Sequence, residues 1–470
     1  MINRRSFIKT TAAGIALTAL PNVVLGAGKK SPLRFKSSVY EDVNYDVVVV
    51  GAGASGIPAA IAAARQGAKV ALIDEDPVPG GAPVDMYVSY MCGGPRIGIF
   101  KEMLQGLNAN AMFPDPTFGE DGGNGKSHWW HPTNFLQVIM QMLMEEPNIS
   151  LIMNAPAIDV VLSNNKVTGV VVLRNGSLQN IKGKVTIDAT GIGLISEKAG
   201  CEIMFGAEAK SDYNEPYGVE TASSRVQPCT QMFISHRVKA GAVLPIGHLE
   251  RISIAEDQYG WLKENAENQG DDPVSGGWQQ RDSGIYLHWG YGQHYIDTRD
   301  PQAVAASQLW CLDKLKNDIR TLSEAGFAVE LAPKIGIREC RRVKGEYVLT
   351  ANELKAGWMP EDRIATSNYM LDSWSVSMTK EEKTVPLYGI PYRSLIPLGV
   401  EGLLTAGRII SGTSLAASSY RVQPPCAAIG QAAGIAASMA AFNQTSVRNI
   451  PMEDFKCELI RNGLYKTSGK

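Results

Sequence analysis

Val47, Val48, Val49 and Val50 run directly into Gly51, Gly53 and Gly56, and no other stretch restricts the fold so tightly. A continuous β-branched run marks a strand buried on both faces, as in a parallel sheet. In the G-x-G-x-x-G that follows, the first glycine permits a tight turn and the second lets backbone approach a pyrophosphate. The third lets a helix lie close to the sheet. That helix, "ASGIPAAIAAARQG", is rich in alanine, and its N-terminal amides and dipole suit phosphate. A second strand, Lys69 to Ile73, ends at Asp74 and Glu75, where an acid meets the adenosine ribose hydroxyls. The glycines alone are weak evidence. Strand, glycines, small-residue helix, second strand and acid in order are strong evidence for a dinucleotide site at Gly51, Gly53, Ala54, Ser55, Gly56, Asp74 and Glu75.

The chain has 470 residues, enough for roughly two to four domains. Its net charge of −2 leaves no basic excess for phosphates, so a general nucleic-acid binder is excluded. The 7 cysteines form no CxxC pair, which points to neither a zinc ribbon nor a disulfide scaffold, although an isolated disulfide stays open. Most of them read as small buried hydrophobes.

Arg4 and Arg5, followed by Ser6, Phe7, Ile8 and Lys9 and an uncharged stretch to Gly28, resemble a twin-arginine translocation signal. The stretch is diluted by Gly14, Pro21 and Asn22, so a permanent membrane anchor is not expected. The resemblance implies export of a folded protein by the twin-arginine machinery to the periplasm or beyond. A tightly held nucleotide loaded before crossing fits that route better than freely dissociating NAD.

Further motifs narrow the cofactor. Pro79, Gly80 and Gly81 follow the acid. "NAPAIDVV" and "VTIDATG" place Ala157 and then Thr190 and Gly191 after predicted strands. "IGIRECRRVKGEYVLT" spans Ile335 to Thr350, and "LLTAGRIISGTSLAASSYRVQPPCAAIGQAAG" supplies Gly407, Arg408, Arg421, Cys426 and Ala427. From Tyr45 to about Ala441 the chain resembles the bacterial FAD-dependent oxidoreductase family, and more distantly the fumarate reductase flavoprotein group. The resemblance implies an α/β fold, a Rossmann-type, glutathione-reductase-like FAD-binding domain with an inserted α+β substrate domain. It implies FAD as cofactor, with Gly80, Gly81, Ala157, Thr190, Gly191, Gly407, Arg408, Cys426 and Ala427 added to its site. The helix beginning at Pro424 and Pro425 is expected to aim its N-terminal amides at the flavin.

The expected organisation is a signal peptide over residues 1–27, a linker over 28–44 and FAD-binding segments over 45–205 and 386–442. A substrate domain over 206–385 separates the two segments, and a C-terminal piece covers 443–470. The expected function is transfer of a hydride between flavin N5 and a small organic substrate. Electrons are expected to pass to or from a quinone, a small redox protein or oxygen rather than NAD(P)H, since no second G-x-G-x-x-G follows a strand. The alternative is a non-catalytic flavoprotein that binds or relays electrons.

Arg421 occupies a position resembling the substrate-carboxylate arginine of the fumarate reductase group, but Val422-Gln423-Pro424 replaces the glycine-rich continuation found there. Binding of loop carbonyls or the flavin edge is its other reading. His288, in "YLHWGYG", is the preferred acid/base, with His294 second; a hydrogen-bonded core histidine is the competing reading. Arg338 and Glu339 read as an active-site pair or as an ion pair between domains. His128 and His131 have i, i+3 spacing without accompanying Cys or acid ligands, so no metal site is expected. Pro132 starts a predicted helix capped by His131 or Thr133.

Overall fold

The computed structural model describes residues 43–111, 129–245, 271–272, 275–279, 283–374 and 376–465; the twin-arginine segment, most of the linker and His128 lie outside them. The valine run forms β1 (Val43–Val50), which leads through the glycine turn into α1 (Gly56–Arg65) and then β2 (Val70–Ile73). Val47, Val48 and Val49 are fully buried, as a strand covered on both faces requires. Next come α2 (Gly98–Ala109) and α3 (Pro132–Met144). Pro132 begins α3, and the cap is His131, whose Nδ1 accepts from the Thr133 amide.

The first sheet continues with β3 (Ile149–Ile152), β4 (Ala157–Ser163), β5 (Lys166–Arg174) and β6 (Ser177–Asp188). Its order is β3-β2-β1-β6-β5-β4. β1, β2, β3 and β6 run parallel, while β4 and β5 form an antiparallel extension. β6 is long enough to serve two neighbours on one edge. Ser177 to Lys182 pair with β5, and Thr186 to Asp188 pair with a late strand.

The second sheet is antiparallel and built from β7 (Cys229–Arg237), β8 (Ser275–Gln279), β9 (Ile285–Gln293) and β10 (Phe327–Leu331), in the order β8-β9-β7-β10. The helix α4 (Pro301–Glu324) is capped by Asp300, which accepts from the Gln302 amide at 2.9 Å. Strand alternation divides the side chains of this sheet. Phe233, Tyr286 and Phe327 join Leu315 and Leu322 of α4, whereas Met232, Ile234 and Leu287 join Tyr87 and Trp129.

The chain then returns to the first sheet. β11 (Leu403–Thr405) pairs with the end of β6, followed by α5 (Ser414–Tyr420) and α6 (Gln423–Asn443). α6 is long and apolar enough to cross a membrane, yet it is buried inside the protein against α1. Its glycines set that approach. A β-carbon on Gly430 would stand 2.0 Å from the Ser55 carbonyl oxygen, and one on Gly434 2.1 Å from that of Ala59. Both sheets fall within one compact unit, Val39–Lys470.

A buried charge network fastens residues 206–227 to the segment before α5. Arg342 is fully buried and pairs with Glu339 and with Glu208 at 2.6 Å, and it donates to the carbonyl oxygens of Gly206 and Gly412. Glu339 also accepts from Ser414 Oγ at 2.9 Å and the Gln227 amide at 3.2 Å. Losing one partner of such a network leaves a bare buried charge, at a cost of about 3–5 kcal/mol. The expected Arg338–Glu339 active-site pair is therefore corrected. The glutamate's partner is Arg342, three residues on, because both side chains turn into the same buried seam.

Candidate functional site

The loop after β1 is held by its own backbone before any ligand is considered. Gly51 has φ +103°, and a β-carbon there would lie 2.4 Å from the Ala189 carbonyl oxygen. One on Gly56 would lie 1.7 Å from the Gly51 oxygen. Gly53 differs: among the described residues beyond its chain neighbours, nothing lies nearer to its absent β-carbon than the Gly81 Cα, at 3.8 Å. The fold itself does not require glycine at 53, and the space beside it suits an external group. The Gly80 amide donates to the Ala52 carbonyl at 2.8 Å, which lays the Gly80-Gly81 turn on this loop.

Other expected cofactor residues gather around it. Gly407, with φ +83°, lies so close to Ser55 that its β-carbon would meet Ser55 Oγ at 2.6 Å and Cys426 Sγ at 3.9 Å. It thereby joins the start of α1 to the start of α6. Thr190 donates its hydroxyl to Asp188 Oδ1 at 2.7 Å and receives the Gly193 amide at 3.1 Å, so its side chain shapes the turn that presents Gly191. Ala157 opens β4, two residues after Ala155, whose amide donates to the Asp74 carbonyl at 2.9 Å.

Asp74 accepts from the Ala52 amide and from the Asp76 amide at 2.9 Å, so its carboxylate already braces the loop that a ribose would share. Burial raises its pKa against those bonds. Glu75 is turned outward to Lys334 at 2.9 Å and is not brought to the cradle. Cys426 lies in the first turn of α6, but its amide donates to the Val422 carbonyl at 3.1 Å. Pro424 and Pro425 have no N–H, so this helix start offers few free donors and acts mainly through its dipole.

Arg408 carries the strongest sign of a missing anion. It is half-buried, its buried Nε has no hydrogen-bond partner among the described residues, and burial pushes its guanidinium below the usual range. It packs beneath Gly191, and Cys426, Cys340 and Arg421 lie within its electrostatic reach. A guanidinium N–H buried without a partner is costly. A phosphate or an electron-rich carbonyl held by this cradle removes that cost.

At the entry to α6, Arg421 donates to Asp372 Oδ2 at 2.7 Å, and Tyr369 donates to the same oxygen at 3.3 Å. Cys92 shares this environment; burial and the Asp372 charge push its thiol up to about 11, against Arg421, so it stays neutral. Two residues beyond Asp372, the Trp374 ring lies 5.7 Å from Arg338 and 6.1 Å from His294. Arg338 also donates to the Pro228 carbonyl at 2.7 Å and to Thr230. The segment Tyr369 to Trp374 thus brings Arg421, Arg338 and His294 into one neighbourhood.

His288 is not among them, which corrects the first choice of acid/base. It is fully buried on the α4 side of the second sheet, stacked on Phe233 at 4.3 Å, with Nε2 at 2.8 Å from Ser235 Oγ. Its parity along β9 matches Tyr286, not Leu287, so the side chain faces away from Tyr87 and Trp129. Cys92, Tyr369, Asp372 and Trp374 were missed in the sequence. The one signal available was that an arginine placed beside a cofactor needs a counter-charge.

The model of the family described as FAD dependent oxidoreductase matches residues 46–459. The chain belongs to that family. It is an oxidoreductase with FAD as its cofactor, and its fold is α/β with a Rossmann-type FAD-binding domain. Residues 1–21 match the twin-arginine translocation pathway signal sequence, so the protein is exported. Over 168 residues the chain is 27% identical to digeranylgeranylglycerophospholipid reductase of Picrophilus torridus, covering 32% of this chain and 40% of that protein. The match therefore spans well under half of that relative's length. Among solved structures, a geranylgeranyl bacteriochlorophyll reductase-like protein from Thermoplasma acidophilum is similar over 90% of this chain and 84% of its own, at 13% identity and TM-score 0.40. The flavin-dependent brominase Bmp2 is similar over 88% and 83%, at 14% identity and TM-score 0.42.

The residues present fit FAD. The open side of Gly53 suits a pyrophosphate, the Asp74 end suits the adenosine, and the Arg408 guanidinium lies where an anionic part of the cofactor would neutralise it.

Proposed function

We propose that this exported enzyme oxidises or reduces a small polar organic substrate at the entry to α6, and exchanges the electrons with a quinone, a small redox protein or oxygen. The observation that carries the reading is the half-buried Arg421–Asp372 pair at 2.7 Å, next to the helix start beside which the expected cofactor residues gather. When bound, FAD supplies the two-electron redox chemistry. Arg421 orients an acidic or carbonyl oxygen of the substrate, and Asp372 keeps the arginine aimed while offsetting its charge. Tyr369, hydrogen-bonded to Asp372, and His294, against Trp374, are the groups able to hold a proton there. Arg338 supports the far wall through Thr230 and Trp374. Export favours electron partners other than NAD(P)H, because free nicotinamide cofactors are scarce outside the cytoplasm.

A second reading of the substrate rests on a small, partly open apolar pocket beside Gly53, lined by Ile57, Pro58, Pro83, Ile99, Phe100 and Met103 among others. So apolar a wall favours a hydrocarbon tail, either of a lipid-like substrate or of a quinone. The two readings separate in one experiment. The purified FAD-loaded protein is mixed anaerobically with hydroxy acids, sugars, amines, enoates and short-tailed quinones, without NAD(P)H, and flavin bleaching or reoxidation is followed. Reduction or reoxidation by a polar compound that is lost in Arg421→Gln supports the first reading. Turnover that rises with tail length and ignores Arg421 supports the second.

A further inference from the structure

Three side chains from distant parts of the chain meet at one oxygen. His236, near the end of β7, places Nε2 at 3.2 Å from Glu330 Oε2, and Glu330 stands on the neighbouring strand β10. His131, the cap of α3, places its own Nε2 at 3.3 Å from the same Oε2. The three ligand atoms lie within 4.8 Å of one another. Spacing along the chain couples His131 to His128; the fold instead gives it a second imidazole and a carboxylate.

We propose that His131, His236 and Glu330 bind a divalent first-row metal ion, with zinc the best match to this donor set. Metal–ligand bonds of about 2.0–2.2 Å in tetrahedral geometry require ligand atoms roughly 3.3–3.5 Å apart. The two nitrogen–oxygen separations, 3.3 and 3.2 Å, come close to that requirement, and the remaining nitrogen–nitrogen edge, within 4.8 Å, closes by rotation of an imidazole. Two histidines and a carboxylate leave one position for water, which suits side chains that remain partly exposed.

The surroundings support a ligating carboxylate. Tyr87 donates its hydroxyl to Glu330 Oε1, which leaves Oε2 to face the imidazoles. Tyr87 holds this position with φ +53°, a conformation that a bulky residue rarely adopts. Such an outer partner fixes the ligand's orientation. His131 Nδ1 lies 3.1 Å from Thr133 Oγ1. On metal binding each neutral ring carries its proton on Nδ1 rather than Nε2, and His131 Nδ1–H then donates to Thr133 Oγ1. The weak 3.3 Å bond from the Thr133 amide is given up in exchange. The ion ties the turn before α3 to the edge of the second sheet.

The test uses the FAD-loaded protein, stripped with a chelator, titrated with Zn2+, desalted and assayed by atomic emission. One zinc per chain is expected, with a rise in melting temperature. His236→Gln and Glu330→Gln should weaken binding at least 100-fold, and Tyr87→Phe about 10-fold. His131→Asn, which keeps a helix-capping residue, guards against loss of the fold, and flavin content reports folding in every variant. Zinc retained well below one per chain by wild type overturns the proposal. So does unchanged affinity in His131→Asn and Glu330→Gln together, which would place the ion elsewhere.

Discussion

The guanidinium of Arg408 lies directly beneath Gly191, within 2.9 Å of where a β-carbon on that glycine would stand. Gly191 has φ +71° and cannot be enlarged without moving a half-buried charge. Because that charge has no hydrogen-bonding partner at Nε among the described residues, it is a burden on the empty protein and an asset to the loaded one. Arg408→Met should raise the stability of the FAD-free protein by about 1–3 kcal/mol and weaken FAD binding about 10- to 100-fold, the loss of one charge-assisted contact. Thermal melts with and without FAD check both halves. A variant destabilised in both states would mean that Arg408 serves the fold alone.

Gly51 and Gly53 should separate in the same way. At Gly51 a side chain meets backbone at 2.4 Å, so Gly51→Ala is expected to give poorly folded protein. At Gly53 no described residue beyond its chain neighbours comes closer than 3.8 Å, so Gly53→Ala should keep its circular dichroism and lose most bound flavin. The flavin absorbance ratio of each purified variant decides it.

Much of this cradle was legible because its requirements are local. A β-branched run, glycines at fixed spacing and an acid after the second strand each serve contacts within one βαβ unit. His288 was misjudged for a reason that no spacing reveals. Alternation along β9 gives two faces, but which one meets α4 and which meets Tyr87 depends on how the sheet packs. Asp372 and Glu330 were invisible for a related reason, since their importance comes from partners 49 and 94 or more residues away. Glu75, beside Asp74 in sequence, was over-read. The chain turns there, and its side chain meets Lys334 instead.

His288 and His294 should behave oppositely. His288→Gln removes a stack and a 2.8 Å hydrogen bond in a dry core. It should cost about 1–3 kcal/mol of stability, with turnover per bound FAD unchanged. His294→Gln should keep the melting temperature closer to wild type and lower turnover per bound FAD. Equal loss of turnover per flavin in both variants would contradict the assignment.

A pH dependence follows from Asp85. Burial first, and then Asp76, raise its carboxyl to about 7, with Lys334 opposing. In the unfolded chain the same group titrates near pH 3.9. Between those values the folded state holds a proton that the unfolded state has lost, so this group's stabilisation is complete below about pH 4 and disappears as pH rises through 7. The slope is on the order of 1 kcal/mol per pH unit. Asp85→Asn, which keeps the neutral form, should flatten the loss across that window; denaturant midpoints at pH 5 and pH 8 measure it.

Export should depend on the cofactor as well as on the signal. Gly51 and Gly53 lie near one end of the described chain, Thr190 near the middle and Cys426 near the other end, and a single FAD reaching all of them, as expected, would favour the folded state. A ligand that binds only the folded protein stabilises it by about 4 kcal/mol at a thousandfold excess over its dissociation constant. The twin-arginine route carries folded cargo, so protein that cannot hold FAD should be turned back more often. Fractionation of wild type, Arg4→Lys/Arg5→Lys and Gly53→Ala checks this, with both variants expected to remain in the cytoplasm. Periplasmic accumulation of the double-lysine form would remove the signal from the argument. Efficient export of Gly53→Ala, folded but without flavin, would show that the fold alone satisfies the route.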